Sequence, residues 1–341
     1  MDMIPTKWTA AVAALATALT LTTPTDSRAQ EVVRVASFTA EHALGVRQVI
    51  IPWMEAVEAE VGDLVDLRGF WGGSLGRDPF RQYELVRSGV ADIAWIVAGY
   101  APGRFPQMHA LELPFMAQNG VEASLFGWQM YEQGMLDGVD DFKVITIWSP
   151  SGDHIHMREP IASVEDIAGK RVRTASSAQA GFIEALGGVP QTIGAVEVND
   201  ALARGAVDGL VQAYTGMRTF GSFNVVSSTY EIPLGNTPFL LLMNRRKWDS
   251  LPVEVQEAMD RHGGATLARI GGQAYDDANI AIREDQTQVD GYTIVTPTQD
   301  QLDAYREQFQ ALHQTWIDAT PNGQAVYDAF LEFLDTHRQG S

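Results

Sequence analysis

Hydrophobic residues in the first third of the chain change between strand-like and helix-like spacing. Val32 to Ala36 and Leu64 to Phe70 form the short apolar runs that predict strands. Between them, residues 45–61 have apolar side chains at helical spacing. A helix over about 78–87 and a strand over 91–96 are predicted next. This β-α-β-α-β order predicts a parallel sheet.

A second α/β unit follows the predicted strand Lys143 to Trp148. It contains predicted helices over about 178–186 and 196–204 and a strand over 207–211. The next apolar strand, Thr237 to Asn244, is predicted to return to the first unit. Two such crossings between units are typical of hinged lobes.

The end of the chain has helical periodicity. From Pro252 to about Asp290 the pattern is interrupted only by glycine pairs at 263–264 and 271–272. A continuous helix of that length would extend about 58 Å. The glycine pairs either split this helix or let another element pack closely, and we favour close packing. Two more helices are predicted over about 299–319 and 323–336.

The first 29 residues predict a secretory signal peptide. Lys7 precedes an apolar run, and Ser27-Arg28-Ala29 supplies small residues at the expected cleavage positions. We therefore expect a periplasmic mature protein. The chain has no cysteine, which excludes disulfides, thiolate metal sites and a lipid-modified cysteine. No later run reaches about 18 apolar residues, so no stable membrane insertion is predicted.

The charge of the chain narrows the possible partners. It has 24 Lys and Arg residues against 43 Asp and Glu residues, and its formal net charge is −19. Such a field repels nucleic acid and anionic lipid headgroups, so neither is expected as a partner. An anion receptor with this charge needs a local positive pocket.

The segment from Pro160 to Ser176 carries the strongest functional signal. Ser163 and Asp166 have the spacing of a capped helical turn. In the strand that follows, Arg171 and Arg173 lie on one face because side chains alternate. Arginine and small polar residues at a strand end suit the carboxyl edge of a sheet, where open α/β folds bind ligands. Arg173 can hold a carboxylate with two parallel hydrogen bonds.

This segment resembles the solute receptors of TRAP transporters (tripartite ATP-independent periplasmic transporters, the DctP family). In that family the pattern Pro-Ile…Asp-Leu-x-Gly-x-Lys-x-Arg ends in a carboxylate-binding arginine, which is Arg173 here. The resemblance covers nearly the whole chain after the leader. Its other landmarks, in family order, are Gly72-Gly73-Ser74-Leu75-Gly76, Val86 to Ala94, Leu113-Pro114-Phe115 and Ala206-Val207-Asp208-Gly209.

The resemblance implies an α/β fold, a two-lobed periplasmic binding protein of type II-like architecture. Crossing strands would join the lobes, and one long helix would span both. Lobe I would comprise residues 30–150 and about 239–278, and lobe II residues 151–238 and about 279–320. A C-terminal helix over about 321–341 would pack on lobe I.

The resemblance also implies a function. The protein would be a monomeric receptor, without catalytic activity or cofactor, that captures a small organic anion in the interlobe cleft. It would deliver that anion to the TRAP membrane permease subunits.

Several aromatic and polar residues take cleft-lining positions of the family. Phe38, Trp95 and Tyr100 do so on lobe I, although Trp95 could equally belong to the core. Gln212 and Tyr214 align with the polar pair that follows Asp-Gly on lobe II. Aromatic walls with a few polar groups are the usual composition of small-molecule pockets.

Members of the family often have a second basic residue that contacts the ligand. By its spacing from Arg173, the corresponding position in this chain is occupied by Asp153, and His154 follows it. His154 could replace the missing donor, or Asp153 could accept a hydroxyl or ammonium group. Asp153 could also be a solvated turn residue. Ser176 takes a common ligand position, with helix capping as the alternative. Because an acid at 153 disfavours a second carboxylate, we predict a monoanion with an apolar, aromatic or hydroxylated remainder.

The cluster Asp153-His154-Ile155-His156 also supports an alternative, a periplasmic enzyme. His154 and His156 share a strand face, a spacing that metal enzymes use, but the sequence supplies no third ligand. Gly72 to Gly76 has Gly-x-Ser-x-Gly spacing, but we interpret this stretch as a turn whose glycines allow tight packing rather than as a nucleophile motif. We therefore expect no metal site. A further alternative keeps the binding fold and makes a sensor kinase the partner.

Overall fold

The computed structural model describes residues 30–340 as an alternation of strands and helices, so the predicted signal peptide lies outside the described residues. The strands of this part, numbered β1 to β11, are Glu31–Ala36, Val65–Phe70, Ile93–Val97, Phe142–Trp148, His154–Met157, Arg171–Thr174, Val189–Thr192, Gly209–Gln212, Ser228–Tyr230, Phe239–Asn244 and Thr293–Val295. The α-helices, numbered α1 to α11, are Ile51–Val61, Gln82–Ser88, Gly120–Glu132, Ser177–Ala185, Val198–Ala203, Tyr214–Phe220, Arg245–Ser250, Val253–His262, Gly264–Thr287, Gln299–Ala319 and Gly323–Gln339.

The first sheet has the strand order β2-β1-β3-β10-β4. Strand β1 pairs in parallel with β2 and β3, which confirms the parallel sheet predicted from the N-terminal pattern. Strand β10 lies antiparallel between β3 and β4. The predicted return of the apolar strand near residue 240 to the first unit is therefore confirmed.

The second sheet has the strand order β11-β9-β5-β8-β6-β7. Strand β6 is parallel to β7 and β8, whereas β5 is antiparallel to β8 and β9. The chain passes from the first sheet to the second between β4 and β5 and returns between β9 and β10. The protein therefore has two α/β lobes joined by crossing segments, as predicted.

Each face of the first sheet is covered by helices. On β3, Ile93 and Trp95 belong to the core layer formed with α1, α8 and α9. Ala94 and Ile96 point into the opposite layer, formed with α2, α3 and α11. This alternation follows from the period of two in a strand. Because β3 is buried on both faces, its sequence is a continuous apolar run rather than an alternating one.

The helical pattern after Pro252 forms two helices, so the first glycine pair splits the predicted helix. Close packing is found there as well, because a Cβ added to Gly263 would lie 2.8 Å from the carbonyl oxygen of Ile145 in β4. Helix α8 ends at His262, and α9 begins at Gly264, whose φ of +61° is costly for other residues. At the second pair α9 is continuous. A Cβ added to Gly272 would lie 2.7 Å from the carbonyl oxygen of Gly120, so close packing on α3 is confirmed there.

Helix α9 contacts both lobes. It packs against α3 and β4 of the first lobe and against α6 of the second, which confirms the predicted helix spanning both lobes. Helix α11 packs on the first lobe, where the rings of Phe126 and Phe330 stack at 4.1 Å. Within residues 30–340, every helix is too short or too polar to cross a bilayer.

Candidate ligand-binding site

A cavity of about 70 Å³ lies between the two lobes. This volume is enough for several water-sized groups. The cavity is reached by the carboxyl ends of strands from both sheets, the position where open α/β folds bind ligands. The lining residues are Phe38, Thr39, Trp95, Val97, Tyr100, Pro150, Asp153, Arg173, Ala175, Ala195, Val211, Gln212, Ala213, Thr215, Gly216, Thr219, Phe220, Thr237, Phe239 and Tyr275.

Arg173, near the end of β6, is 2% exposed, and its guanidinium is held by three contacts. Nε donates to the carbonyl oxygen of Ile193 at 2.7 Å, and Nη1 donates to that of Val211 at 3.1 Å. Nη2 donates to the hydroxyl of Tyr100 at 2.6 Å. A guanidinium has five N–H groups, so within residues 30–340 one N–H on each Nη remains without a partner. Two such donors match the two oxygens of a carboxylate.

Arg171 shares the strand face with Arg173 but has a different environment. Its exposed side chain forms an ion pair with Asp208 at 2.9 Å. Within the described residues Arg173 forms no ion pair. Arg173 therefore brings an unpaired positive charge to a strongly acidic protein, at the edge of the cavity.

Tyr100 of the first lobe contacts the second lobe through its hydroxyl. Besides the bond from Arg173, this oxygen accepts one from the backbone N–H of Ala195 at 3.0 Å. The neighbouring Gly99 permits the approach, since a Cβ there would lie 2.7 Å from the carbonyl oxygen of Ala175. These contacts hold the lobes together beside the cavity.

Aromatic rings form the wall of the cavity on the first lobe. Trp95 packs against Phe38 at 5.9 Å and against Phe239 at 5.1 Å between ring centroids. Phe239 also packs against Tyr275 of α9 at 5.8 Å. Trp95 belongs to the core of the first lobe as well, so it is both a core residue and a wall residue.

Asp153 lies at the hinge, and its side chain is buried at the cavity wall. Its carboxylate accepts hydrogen bonds from the hydroxyl of Thr237 at 2.6 Å and from the side-chain amide of Gln179 at 2.9 Å. The solvated-turn interpretation of Asp153 is therefore wrong.

Burial raises the pKa of the Asp153 carboxyl to about 7. The nearby carboxylate of Glu112 raises it too, whereas the hydrogen bond from Thr237 and the charge of Arg173 act in the opposite direction. Asp153 is thus a carboxyl group that titrates near neutral pH within the electrostatic field of Arg173.

The structure brings six of the nine predicted site residues to the cavity, namely Phe38, Trp95, Tyr100, Asp153, Arg173 and Gln212. The other three have side chains elsewhere, namely His154, Ser176 and Tyr214.

His154 points to the opposite face of the sheet from Asp153, because neighbouring residues in an extended segment alternate. Its Nδ1 bonds the carbonyl oxygen of Ile232 at 3.1 Å, and burial lowers its pKa. His156, on the same face, donates from Nε2 to the carbonyl oxygen of Gln212 and accepts at Nδ1 from Thr229. Burial lowers the pKa of His156 to about 3. His156 is therefore a neutral core residue. The enzyme alternative, which depends on Asp153, His154 and His156, loses this residue as a candidate catalytic group.

Within residues 30–340, no cluster of three or more His, Asp or Glu side chains is arranged to hold a metal ion. The shared strand face of the two histidines therefore has no third ligand in this part of the chain.

Ser176 caps α4, as the alternative interpretation expected. Its hydroxyl oxygen accepts from the N–H of Gln179 at 3.1 Å and donates to the buried carboxylate of Glu112 at 2.8 Å. Glu112 belongs to the first lobe and also contacts the ring of His109. Ser176 thus joins the two lobes beside the cavity rather than lining it.

Tyr214 begins α6, and its hydroxyl donates to Glu231 at 2.9 Å, away from the cavity. Burial acts to raise the pKa of Glu231, but hydrogen bonds from groups such as Arg283 hold it at about 2. The alignment of Gln212 and Tyr214 as a pair assumes extended backbone. Because the chain turns into a helix at 214, Thr215 and Phe220 face the cavity instead.

Comparisons with known proteins identify the family. The sequence matches DctP, the bacterial extracellular solute-binding protein family 7, over residues 36–319. A curated relative is the C4-dicarboxylate-binding periplasmic protein DctP of Rhodobacter capsulatus, 25% identical over 211 residues. This alignment covers 61% of the present chain and 63% of the relative, so the chain spans less than two thirds of that relative's length.

Solved structures share the fold. A TRAP solute-binding protein from an unidentified microbe of a marine metagenome, specific for aromatic acid ligands, was crystallised with metahydroxyphenylacetate. It is 28% identical, has a TM-score of 0.85, and is matched over 90% of the present chain and 99% of its own. The same protein with 3-hydroxybenzoate has a TM-score of 0.84.

A TRAP solute-binding protein from Rhodoferax ferrireducens T118, crystallised with copurified benzoate, is 21% identical and has a TM-score of 0.85. The match covers 90% of the present chain and 98% of that one, and it shows a common fold. The family match itself covers most of this chain. The chain therefore belongs to the DctP family of bacterial extracellular solute-binding proteins, which are periplasmic receptors of TRAP transporters and not enzymes.

Proposed function

We propose that this protein captures a small monocarboxylate with an aromatic or apolar body between its lobes and delivers it to a TRAP permease. One observation carries the proposal. Arg173 is buried at an aromatic-walled cavity, and two of its N–H groups have no partner within the described residues.

The preference for a carboxylate follows from the guanidinium geometry. The contacts with Ile193 and Val211, which lie on the same lobe as Arg173, fix the orientation of the planar group before a ligand arrives. A preorganised fork loses less side-chain entropy on binding than a free one. The two remaining donors can then hold both oxygens of one carboxylate.

The preference for one carboxylate over two follows from the charges at the cavity. Arg173 is the one cationic side chain among the described lining residues, and Asp153 occupies the position where the family resemblance places a second cation. A second carboxylate near Asp153 would meet like charge at reduced dielectric whenever Asp153 is ionised, which is the case above its pKa of about 7, and this weakens binding.

The wall formed by Phe38, Trp95, Phe239 and Tyr275 supports an apolar or aromatic ligand body. The marine relative, which binds aromatic acids, supports the same class. The Rhodobacter capsulatus relative is named for C4-dicarboxylates. We prefer the aromatic monocarboxylate because Asp153 opposes a second anionic group.

Location and domain roles belong to the same proposal. Residues 1–29 would direct export and be removed, and the mature protein would act as a monomer. Residues 30–150 with about 239–278 would form lobe I, and residues 151–238 with about 279–320 would form lobe II. The helix over about 321–341 would stay with lobe I, and the lobes would open to release the ligand.

Calorimetric titration of the mature protein with benzoate, mandelate, succinate, malate and sialic acid tests the proposal. We expect the two aromatic monocarboxylates to bind at least about tenfold more tightly than the other acids, a difference of about 1.4 kcal/mol. Displacement of every monocarboxylate by succinate or malate would contradict the proposal.

A further inference from the structure

The side chain of Glu112 is a buried carboxylate of the first lobe that contacts the second lobe. It ends the short 3₁₀ segment Pro106–Glu112 and is 1% exposed. Glu112 does not line the cavity that Arg173 borders. Its Oε1 accepts a hydrogen bond of 2.8 Å from the hydroxyl of Ser176, which caps α4. Acidic side chains are almost never fully buried unless they are paired, so this carboxylate requires an explanation.

Glu112 also has a partner on its own lobe. Its second carboxylate oxygen contacts Nδ1 of His109, one turn earlier in the same segment. Burial acts to lower the pKa of His109, but the charge of Glu112 and the hydrogen bond to it raise that pKa above its ordinary value. The ionised form of this pair is therefore favoured. Glu112 can lose the bond from Ser176 and still keep a positive partner.

The contact on the second lobe lies close to the ligand arginine in the sequence. Ser176 follows Arg173 by three residues, and its hydroxyl oxygen also accepts from the backbone N–H of Gln179. The side-chain amide of Gln179 donates to Asp153 in the hinge at 2.9 Å. The first turn of α4 is thus bound to Glu112 of the first lobe and to Asp153 of the hinge. Acidic groups at the N-terminus of a helix are further stabilised by its dipole.

The backbone at Glu112 is packed against the segment by which the chain returns to the first sheet. Gly235 of this segment has a φ of +84°, and an added Cβ would lie 2.3 Å from the carbonyl carbon of Glu112. The backbone N–H of Asn236 donates to the carbonyl oxygen of Leu111 at 2.8 Å. Glu112 is thereby anchored to its own lobe and to the hinge. A separation of the lobes must therefore break its bond with Ser176.

We propose that Glu112 is a positioning residue for ligand capture, whose bond with Ser176 forms when the lobes close and slows ligand release without contact with the ligand. This inference rests on the proposed function, in which the lobes open to release the ligand. A bond that exists only in the closed form shifts the equilibrium toward that form. It should therefore lower the dissociation rate and leave the association rate with the open form unchanged.

Rate measurements on the mature protein test this role. Stopped-flow mixing uses the tightest ligand among benzoate, mandelate, succinate, malate and sialic acid. Intrinsic tryptophan fluorescence follows binding, since Trp95 lines the cavity. Glu112→Gln keeps the size of the side chain and removes its charge. We expect its dissociation rate to rise about three- to tenfold and its association rate to stay within about twofold of wild type.

A double-mutant cycle assigns the effect to the bond itself. Ser176→Ala should raise the dissociation rate about tenfold, and Glu112→Gln should add little to it, because both substitutions affect one contact. Ser176→Thr keeps the hydroxyl and should restore slow release. Thr298→Ala is the matched control, because Thr298 is exposed and its hydroxyl caps α10 through the N–H of Gln301. This control should lose stability and keep both rates.

The outcomes separate this inference from the proposed function. Wild-type dissociation rates in folded Glu112→Gln and Ser176→Ala would overturn the role of Glu112, whichever acid is bound. Slower association with unchanged dissociation would also overturn it. If succinate or malate is the tightest ligand and both variants release it faster, the monocarboxylate preference is wrong and the role of Glu112 stands. Absence of binding by every acid in the series would contradict both proposals.

Discussion

The hydroxyl of Tyr100 accepts a hydrogen bond of 2.6 Å from the guanidinium of Arg173, across the boundary between the lobes. The residue proposed to hold the ligand is therefore also a residue that holds the lobes together. Ligand binding and lobe closure share this contact, which is the physical basis for coupling them.

Tyr100→Phe tests this coupling. The substitution leaves one N–H of Arg173 and the N–H of Ala195 without their acceptor in the closed protein. Unpaired buried donors should weaken monocarboxylate binding by about tenfold or more. Calorimetry measures the loss. Tyr327→Phe is the control, because its hydroxyl contacts His313 outside the cavity, and equal affinity of both variants would contradict the coupling.

Lobe closure itself can be measured in solution. A ligand that contacts both lobes stabilises the closed form, so saturation with a bound monocarboxylate should lower the radius of gyration. Small-angle scattering with and without ligand detects this contraction. Arg173→Ala should show no contraction under the same conditions. An unchanged radius of gyration in wild-type protein with calorimetrically confirmed binding would argue against a hinge.

Asp153 predicts a pH dependence of stability. The unfolded carboxyl titrates near pH 4, and the folded one titrates near pH 7. Between these values the folded state keeps a proton that the unfolded state has lost. The free energy of unfolding should therefore fall as pH rises through this window, by at most about 1.4 kcal/mol per pH unit from this group.

Asp153→Asn removes the titrating group, so the variant should lose this component of the pH dependence. Urea unfolding of both proteins at pH 5 and pH 8 gives the comparison. The stability of the variant relative to wild type should be greater at pH 8 than at pH 5. The same difference at both pH values would show that Asp153 keeps an ordinary pKa.

Sequence patterns predicted the parts of the site that lie at the ends of strands. The position of Arg173 at the cavity was predicted from its strand, from the small polar residues after it and from the family resemblance. The prediction that His154 lines the cleft was wrong. Alternation lets only one of two adjacent residues face the cleft, and the sequence does not tell whether that residue is Asp153 or His154. The prediction for Tyr214 was wrong for a related reason. Helix α6 begins at Tyr214, so its side chain follows helical spacing and not the alternation of a strand.

Other parts of the site depend on long-range packing that no local pattern reveals. Phe239 of β10 and Tyr275 of α9 line the same cavity wall as Trp95. Both are distant from Trp95 in the sequence. Helix α3 is difficult to recognise for another reason. Phe126, Trp128 and other residues around its circumference are buried, so its apolar positions do not form one stripe.

The contact between α3 and α9 predicts a stability effect. In Gly272→Ala the new methyl group would lie 2.7 Å from backbone atoms of Gly120 and Val121, which cannot move independently. The helices must separate, which should lower the free energy of unfolding by about 1–3 kcal/mol.

Gly181→Ala in α4 is the matched control for this packing effect. The added Cβ there meets only a methyl group of Leu312 at 3.8 Å. Helix propensity should make this variant up to about 1 kcal/mol more stable than wild type. Chemical denaturation measures both variants, and an undiminished stability of Gly272→Ala would disprove the close packing.

The measurement that most directly tests the carboxylate site compares Arg173→Lys with Arg171→Lys. Both substitutions keep the charge and remove the planar fork, on the same strand face and two residues apart. Arg171 pairs with Asp208 at the surface, so its variant should bind the best monocarboxylate like wild type. Arg173→Lys should lose at least about tenfold in affinity, and Arg173→Ala more. Wild-type affinity in both Arg173 variants would contradict the account.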